Sequence, residues 1–173
     1  GKAPEAAALT RELIAFLRAG LAGLRGETTT LGREFEMASA FLAIMKMRME
    51  DRLTYSLDLP AALVNEAVPP AMLISLVENA IKHGLEPALD GGALHLAARY
   101  DDASLQISVT DTGVGLSAAA QSTGGGVGLA NIRERLAAIY GEAAALTIQD
   151  NAPKGVAATI TLPRATAAAR STE

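Results

Sequence analysis

Three groups of residues in this chain have the types and spacing to do chemistry. The first is Leu76-Val77-Glu78-Asn79-Ala80-Ile81-Lys82-His83-Gly84. On a helix turning about 100° per residue, Ser75, Asn79, Lys82 and His83 share one side, while Leu73, Leu76, Val77, Ala80 and Ile81 share the other. An amide, an ammonium and an imidazole looking into one cleft suit a metal-bound polyphosphate. The amide oxygen serves a hard cation, and cationic or neutral donors serve phosphate oxygens. The competing reading is an ordinary amphipathic helix whose Glu78 and Lys82 form an exposed pair at i and i+4.

The second group is Asp111-Thr112-Gly113-Val114-Gly115-Leu116, directly after a predicted strand. A buried carboxylate at a strand end accepts a hydrogen bond from an amino group. For a purine this selects the exocyclic amine of adenine over the carbonyl of guanine, because the wrong base leaves two acceptors facing each other. Gly113 and Gly115 let the backbone approach a flat ring. The third group, Gly124-Gly125-Gly126-Val127-Gly128-Leu129, runs into a helix bearing Asn131 and Arg133, and successive N–H groups there form an anion site. No strand precedes these glycines and no Gly-Lys-Ser/Thr occurs, which excludes Rossmann and P-loop readings. A strand turn for the second group and a flexible linker for the third are the plain alternatives.

These groups need elements to hold them. Glu5 to about Leu24 is predicted helical, with Leu13, Leu17, Leu21 and Leu24 in a stripe. Thr28-Thr29-Thr30 is predicted to cap a second helix running to about Arg52. In it Leu31, Phe35, Ala38, Leu42, Met45 and Met49 step by four and three, the spacing of a packing seam. Packing within the chain is one use for that seam, and a homodimer interface is the sharper alternative. Leu53 to Leu59 alternates as a strand, and Pro70 is predicted to open the helix of the first group. Ala93–Tyr100 and Leu105–Thr110 read as an antiparallel hairpin around Asp101-Asp102, and Asp111–Val127 reads as a loop. Leu129, Ile132, Leu136 and Ile139 mark a helix closed near Gly141. Ala145–Ile148 and Val156–Leu162 read as a last strand pair around Asn151-Ala152-Pro153, and 164–173 as a disordered tail. The sum is an α+β, two-layer α/β sandwich behind a helical segment.

Composition narrows the function. Half of the 173 residues are hydrophobic, enough for one core, although alanine makes up much of that half. A net charge of −4, a pI near 5.2 and 3% aromatic residues argue against a nucleic-acid partner. Zero cysteines exclude disulfides, thiolate catalysis and cysteine-rich zinc sites. No run approaches a membrane span and no signal peptide is visible, so the chain as given reads as soluble. Its opening Gly1-Lys2-Ala3-Pro4 reads as a cut within a longer protein.

The order Glu78-Asn79-x-x-Lys82-His83-Gly84, Asp111-x-Gly113-x-Gly115, then Gly124 to Leu129 resembles the N box and two glycine boxes of the GHKL ATPases. Val68-Pro69-Pro70 ahead of the N box is similar to LytS-type sensor histidine kinases. So are Gly128-Leu129-Ala130-Asn131-Ile132-Arg133-Glu134-Arg135-Leu136 and Thr159-Ile160-Thr161-Leu162-Pro163, together with Met47-Arg48 and Asp51-Arg52-Leu53 upstream. The resemblance implies a GHKL (Bergerat) fold with a mixed, largely antiparallel sheet. It divides the chain into residues 1–52, the end of a dimerisation and phosphotransfer region, and 53–163, the ATP-binding catalytic domain.

It further implies that Asn79 holds Mg²⁺ across the phosphates of ATP and that Lys82 and His83 contact phosphate or ribose. Asp111 would bind the adenine amine, with Gly113 and Gly115 beneath the ring. Gly124, Gly126 and Gly128, running into Leu129, would form a lid over the phosphates, and Thr159 would help the adenine pocket through water. Glu78 would be a proton acceptor or the partner of Lys82. The position of the base in gyrase-like relatives, four residues before Asn79, holds Ser75, a poor base. The chain holds only two histidines, His83 and His95, and neither reads as a phosphoryl acceptor. The implied activity is therefore a protein histidine kinase acting on a histidine helix outside these residues. Self-phosphorylation is not expected. A response regulator lies downstream, and the setting is cytoplasmic with membrane anchoring left open for the intact protein. A GHKL regulator of the Ser/Thr kinase kind and a nucleotide-binding interaction module without turnover are the alternatives.

Overall fold

The computed structural model describes residues 28–101, 103–119 and 126–164, together with Leu13. Apart from Leu13, the predicted helix Glu5–Leu24 lies outside the described residues, as does the tail beyond Arg164. Strand β1 (Thr29–Thr30) leads into α1 (Leu31–Met49), and the Thr30 hydroxyl accepts from Arg33 N at 3.3 Å, the cap read from the threonine run. The helix ends three residues before the predicted Arg52, in a 3₁₀ turn Glu50–Arg52. Lys46 Nζ donates to the carbonyls of Glu50 and Leu53 there. β2 (Leu53–Asp58), β3 (Ala67–Val68) and α2 (Met72–Asn79) follow. Next come β4 (Gly92–Tyr100), β5 (Ser104–Asp111), α3 (Leu116–Ala119) and α4 (Gly126–Tyr140). β6 (Ala145–Asp150) and β7 (Val156–Pro163) complete the order.

Five strands form one sheet in the order β2-β4-β5-β7-β6, with β2 parallel to β4 and the other pairs antiparallel. β1 and β3 make a separate two-stranded ladder. Alternation turns Leu94, Leu96, Ile107, Val109 and Ile160 toward the helices and leaves His95, Ser108 and Thr159 on the outer face. The six apolar residues of the α1 stripe, Leu31 through Met49, are all buried in the core that also holds Leu76 and Ile81 of the second helical run and Leu136 of α4. Full burial of each such leucine or isoleucine contributes about 1.5–3 kcal/mol. The seam is therefore occupied within the chain.

Two expectations about α2 need correction. Pro70 is not its first residue, because the helix begins at Met72 after Ala71, which sits in the left-handed region at φ 63°. The cause lies 37 residues away in α1. The carboxylate of Glu34, only 4% exposed, accepts from Ala71 N at 2.9 Å and Leu73 N at 3.1 Å, capping α2 from outside. Arg135 of α4 donates to the Pro70 carbonyl and lies close enough to Glu34 to act on its charge. Burial raises the Glu34 pKa, and the two amides and Arg135 pull against that rise. Glu34→Ala is expected to cost about 2 kcal/mol in urea unfolding, since buried amides lose their acceptor.

The second correction concerns pitch. From Ala80 to Leu85 the helix widens into a π turn, closed by Glu86 N on Ile81 O at 2.8 Å. The regular pitch assumed by the 100° wheel is lost beyond Asn79, although Ala80 and Ile81 are still buried and Lys82 exposed as it divides them, and the exposed Glu78 and Lys82 do not pair with each other. The ion pair found here joins Arg48 to Glu86 instead.

Candidate functional site

The three chemistry-bearing groups meet where the π turn, the end of β5 and the start of α4 converge. Asn79, half-buried at the last position of α2, has its amide nitrogen 3.5 Å from where a Cβ on Gly128 would stand. Gly84 packs on the carboxylate of Asp111, with a Cβ there falling 2.8 Å from Oδ1. Gly113 lies on the backbone of Gly84, and Val114 N donates to Gly84 O at 3.0 Å. The 3₁₀ turn that follows α1 braces the chain beyond the junction. Arg52 donates to the carbonyls of Glu86 and Ala88, fixing the loop that leaves Gly84.

Asp111 is 2% exposed, on the helix-facing side of β5. Its Oδ1 accepts from Gly113 N at 2.8 Å, and the amide of Val156 acts on the carboxylate's charge. Burial pushes its pKa up, and these two amides hold the rise back. A desolvated carboxylate with part of its acceptor capacity taken by the main chain can receive a donor from a planar ligand. Gly115 takes φ +85°, the left-handed conformation expected of a glycine at a close approach.

Lys82 is exposed and His83 half-buried on the π turn, while Glu78 is exposed. Gly126 and Gly128 belong to the first turn of α4 rather than to a loop before it, and Leu129 packs against the core. Gly124 lies outside the described residues. The loop expected over 111–127 contains a helical turn, α3.

Thr159 does not belong with the others. It pairs with Ser108, whereas the face of Asp111 continues through Val109 to its partner Ala158, so Thr159 stands on the opposite side of the sheet. His95 is also on that outer side, bonded through Nδ1 to Ser56 Oγ at 2.7 Å, as expected of a satisfied sheet histidine. Ser75 Oγ donates to the Ala71 carbonyl at 2.8 Å.

Sequence reasoning missed Glu34, Arg135, Asn151 and Gly155. A signal existed for Glu34: it falls three residues after Leu31 and four before Ala38, on the buried stripe. For Asn151 the sequence shows only a turn.

The profile of the "Histidine kinase-, DNA gyrase B-, and HSP90-like ATPase" family matches residues 70–166, and that of "Histidine kinase" matches residues 1–53. The chain belongs to the histidine kinase-, DNA gyrase B- and HSP90-like ATPases. Among known proteins it is similar to the sensor protein LytS of Staphylococcus haemolyticus, 32% identical over 148 residues, covering 80% of this chain and 25% of that protein. It is equally similar to the sensor histidine kinase YesM of Bacillus subtilis, 32% identical over 154 residues, covering 88% of this chain and 27% of that protein. The chain thus spans about a quarter of the length of these curated relatives. In fold it matches the catalytic domain of histidine kinase ThkA at a TM-score of 0.62 and 13% identity, covering 80% of this chain and 99% of that one. It also matches the histidine kinase domain of the blue-light activated kinase EL346 of Erythrobacter litoralis, at 0.59 and 18%, covering 91% of this chain and 73% of that one.

Proposed function

We propose that the chain holds Mg-ATP between the π turn, the Asp111 loop and the first turn of α4, and presents its γ-phosphoryl group to a histidine on another segment or chain. The observation that carries this reading is the meeting of Asn79 with Gly128 and of Gly84 with Asp111 at one junction. Asp111 accepts from the adenine amine, and Gly113 and Gly115 lie beneath the ring. Lys82 and His83 contact phosphate or ribose. The N–H groups at the start of α4, at Gly126 and Gly128, face the phosphates, the role the resemblance also gives Gly124, and Leu129 packs that turn against the core.

Magnesium fits the donor set. Among the described residues no group of three His, Asp or Glu side chains could hold an ion unaided, whereas one amide oxygen from Asn79 suits an ion that takes most of its ligands from phosphate and water. When bound, the ion neutralises phosphate charge. The chain's own part is positioning, with amides and Lys82 aimed where charge develops in a loose transition state. Ser75 is engaged with a main-chain carbonyl and is no base, and Glu78 stands exposed and apart from Lys82. Both features favour transfer to a protein acceptor over hydrolysis by water.

Residues 1–52 read as the end of the phosphotransfer region and 53–163 as the ATP-binding domain, a division supported by the profile that ends at residue 53. A response regulator then receives the phosphoryl group, and the need for ATP places the domain in the cytoplasm. Among the described residues no helix is long and apolar enough to cross a membrane.

With labelled Mg-ATP and a fragment of the kinase carrying the upstream histidine, the chain is expected to leave acid-labile label on the fragment. Acid-stable label would instead make it a Ser/Thr kinase-like member of the family. Binding without label would leave an interaction module.

A further inference from the structure

The turn between β6 and β7 does more than join two strands. An asparagine in a turn usually bonds its own backbone two residues on. Asn151 instead reaches across the sheet, its Nδ2 donating to the main-chain oxygen of Asp111 at 2.9 Å, 40 residues upstream. Its own N–H donates to Gly155 O at 2.9 Å and so closes the turn. That closure presents Val156 N to the Asp111 carboxylate.

Gly155 makes the approach feasible. It sits at φ +111°, and a Cβ there would fall 1.9 Å from Asp111 O, so this position requires glycine on both conformational and steric grounds. The neighbouring residue Asp150 holds the root of α3, accepting from Leu116 N at 3.3 Å.

The ladder between β5 and β7 ends with Thr110 opposite Ala157, one residue short of Asp111. On the other edge Leu94 still pairs with Asp111, so what remains to be fixed is the Asp111–Thr112 peptide, which carries Gly113 N to the carboxylate. The peptide is pinned at both ends, by Asn151 on the carbonyl and by Ala93 O on Thr112 N at 3.0 Å. Gly113 N pins the carboxylate itself, and the Val156 amide acts on its charge.

We infer that Asn151 is a positioning residue for base recognition, fixing through the β6–β7 turn the orientation in which Asp111 reads the exocyclic amine of adenine. This rests on the nucleotide reading above. It assigns selectivity between purines to a turn that touches neither phosphate nor metal. A carboxylate freed to rotate still accepts hydrogen bonds, but no longer along the direction of the amine, so the loss falls on nucleotides that carry the amine.

The test compares ATP with inosine triphosphate, which has a carbonyl in place of the amine, by titration calorimetry with Mg²⁺ on the folded chain. Asn151→Ala is expected to weaken ATP about tenfold and leave inosine triphosphate unchanged, so that the preference falls about tenfold. Asn151→Asp, which keeps the turn chemistry and removes the donor, should lower the same ratio and serves if the alanine variant does not fold. An unchanged ratio, whether both affinities fall together or neither does, overturns the inference and leaves Asn151 a structural turn residue. Asp111→Asn is the reference. A ratio unmoved by that change overturns the nucleotide reading itself, and the role of Asn151 with it. A ratio moved by Asp111→Asn but not by either Asn151 variant overturns the role of Asn151 alone.

Discussion

Asp111→Asn is expected to lower the affinity of the chain for Mg-ATP about 100-fold, because a charge-assisted acceptor in a desolvated site is exchanged for a neutral amide. The same substitution should alter stability in a direction set by the site. Burial raises the Asp111 pKa in the folded chain, so the native state binds a proton more readily than the unfolded one. The sign follows from linkage. The stability this group contributes is complete below the ordinary carboxyl range, about pH 4, and is lost as pH rises through the raised folded value. Wild-type chain should therefore lose stability across that window, and Asp111→Asn should lose less. Glu34 is raised in the same direction, which leaves a residual slope in the variant. Thermal unfolding from pH 4 to 8, paired with calorimetric titration of Mg-ATP, measures both effects. Unchanged affinity would remove Asp111 from the site, and an unchanged pH slope would mean its carboxyl is not desolvated in solution.

What could be read from the sequence divides by the range of the interactions involved. The strands ending in Asp111 and the buried stripe of α1 follow from short periods, two in a strand and three to four in a helix, and the structure has both. The start of α2 was not legible at Pro70, because Glu34 sets it through space from another helix. Nor was the π turn, since a wheel drawn at constant pitch assumes the regularity that breaks there. Thr159 is the instructive residue. The resemblance puts it in the adenine pocket, while the alternation of Ala158, Ile160 and Leu162 puts it on the outer face, and the register agrees with the alternation. Beyond a turn, the sequence gives no sign of the bond from Asn151, because its partner is 40 residues distant and the bond is made to main chain, which has no residue type to read.

Gly113→Ala is expected to damage the site through a single added methyl. The φ of Gly113 lies outside the left-handed region, so alanine is conformationally permitted there and the penalty is one of approach. A Cβ would fall 2.2 Å from both the carbonyl carbon and oxygen of Gly84, and 2.6 Å from its Cα. Those are main-chain atoms within the π turn, and no side-chain rotation relieves the overlap. The turn must move off the Asp111 loop, breaking the bond from Val114 N to Gly84 O and enlarging the gap between the residues assigned to phosphate and to base. Overpacking against main chain falls at the upper end of its usual range, about 3 kcal/mol, which for a domain of this size lowers Tm by about 10 °C. Gly141→Ala supplies the control. Gly141 sits at φ +59° with nothing within 4 Å of its Cβ, so that variant carries conformational strain of about 1 kcal/mol without any clash. Scanning calorimetry of the two variants separates the effects, and ATP titration adds the functional readout. If Gly113→Ala proves as mild as Gly141→Ala and keeps its nucleotide affinity, the two boxes are not in contact in solution, and the shared site built on that contact falls.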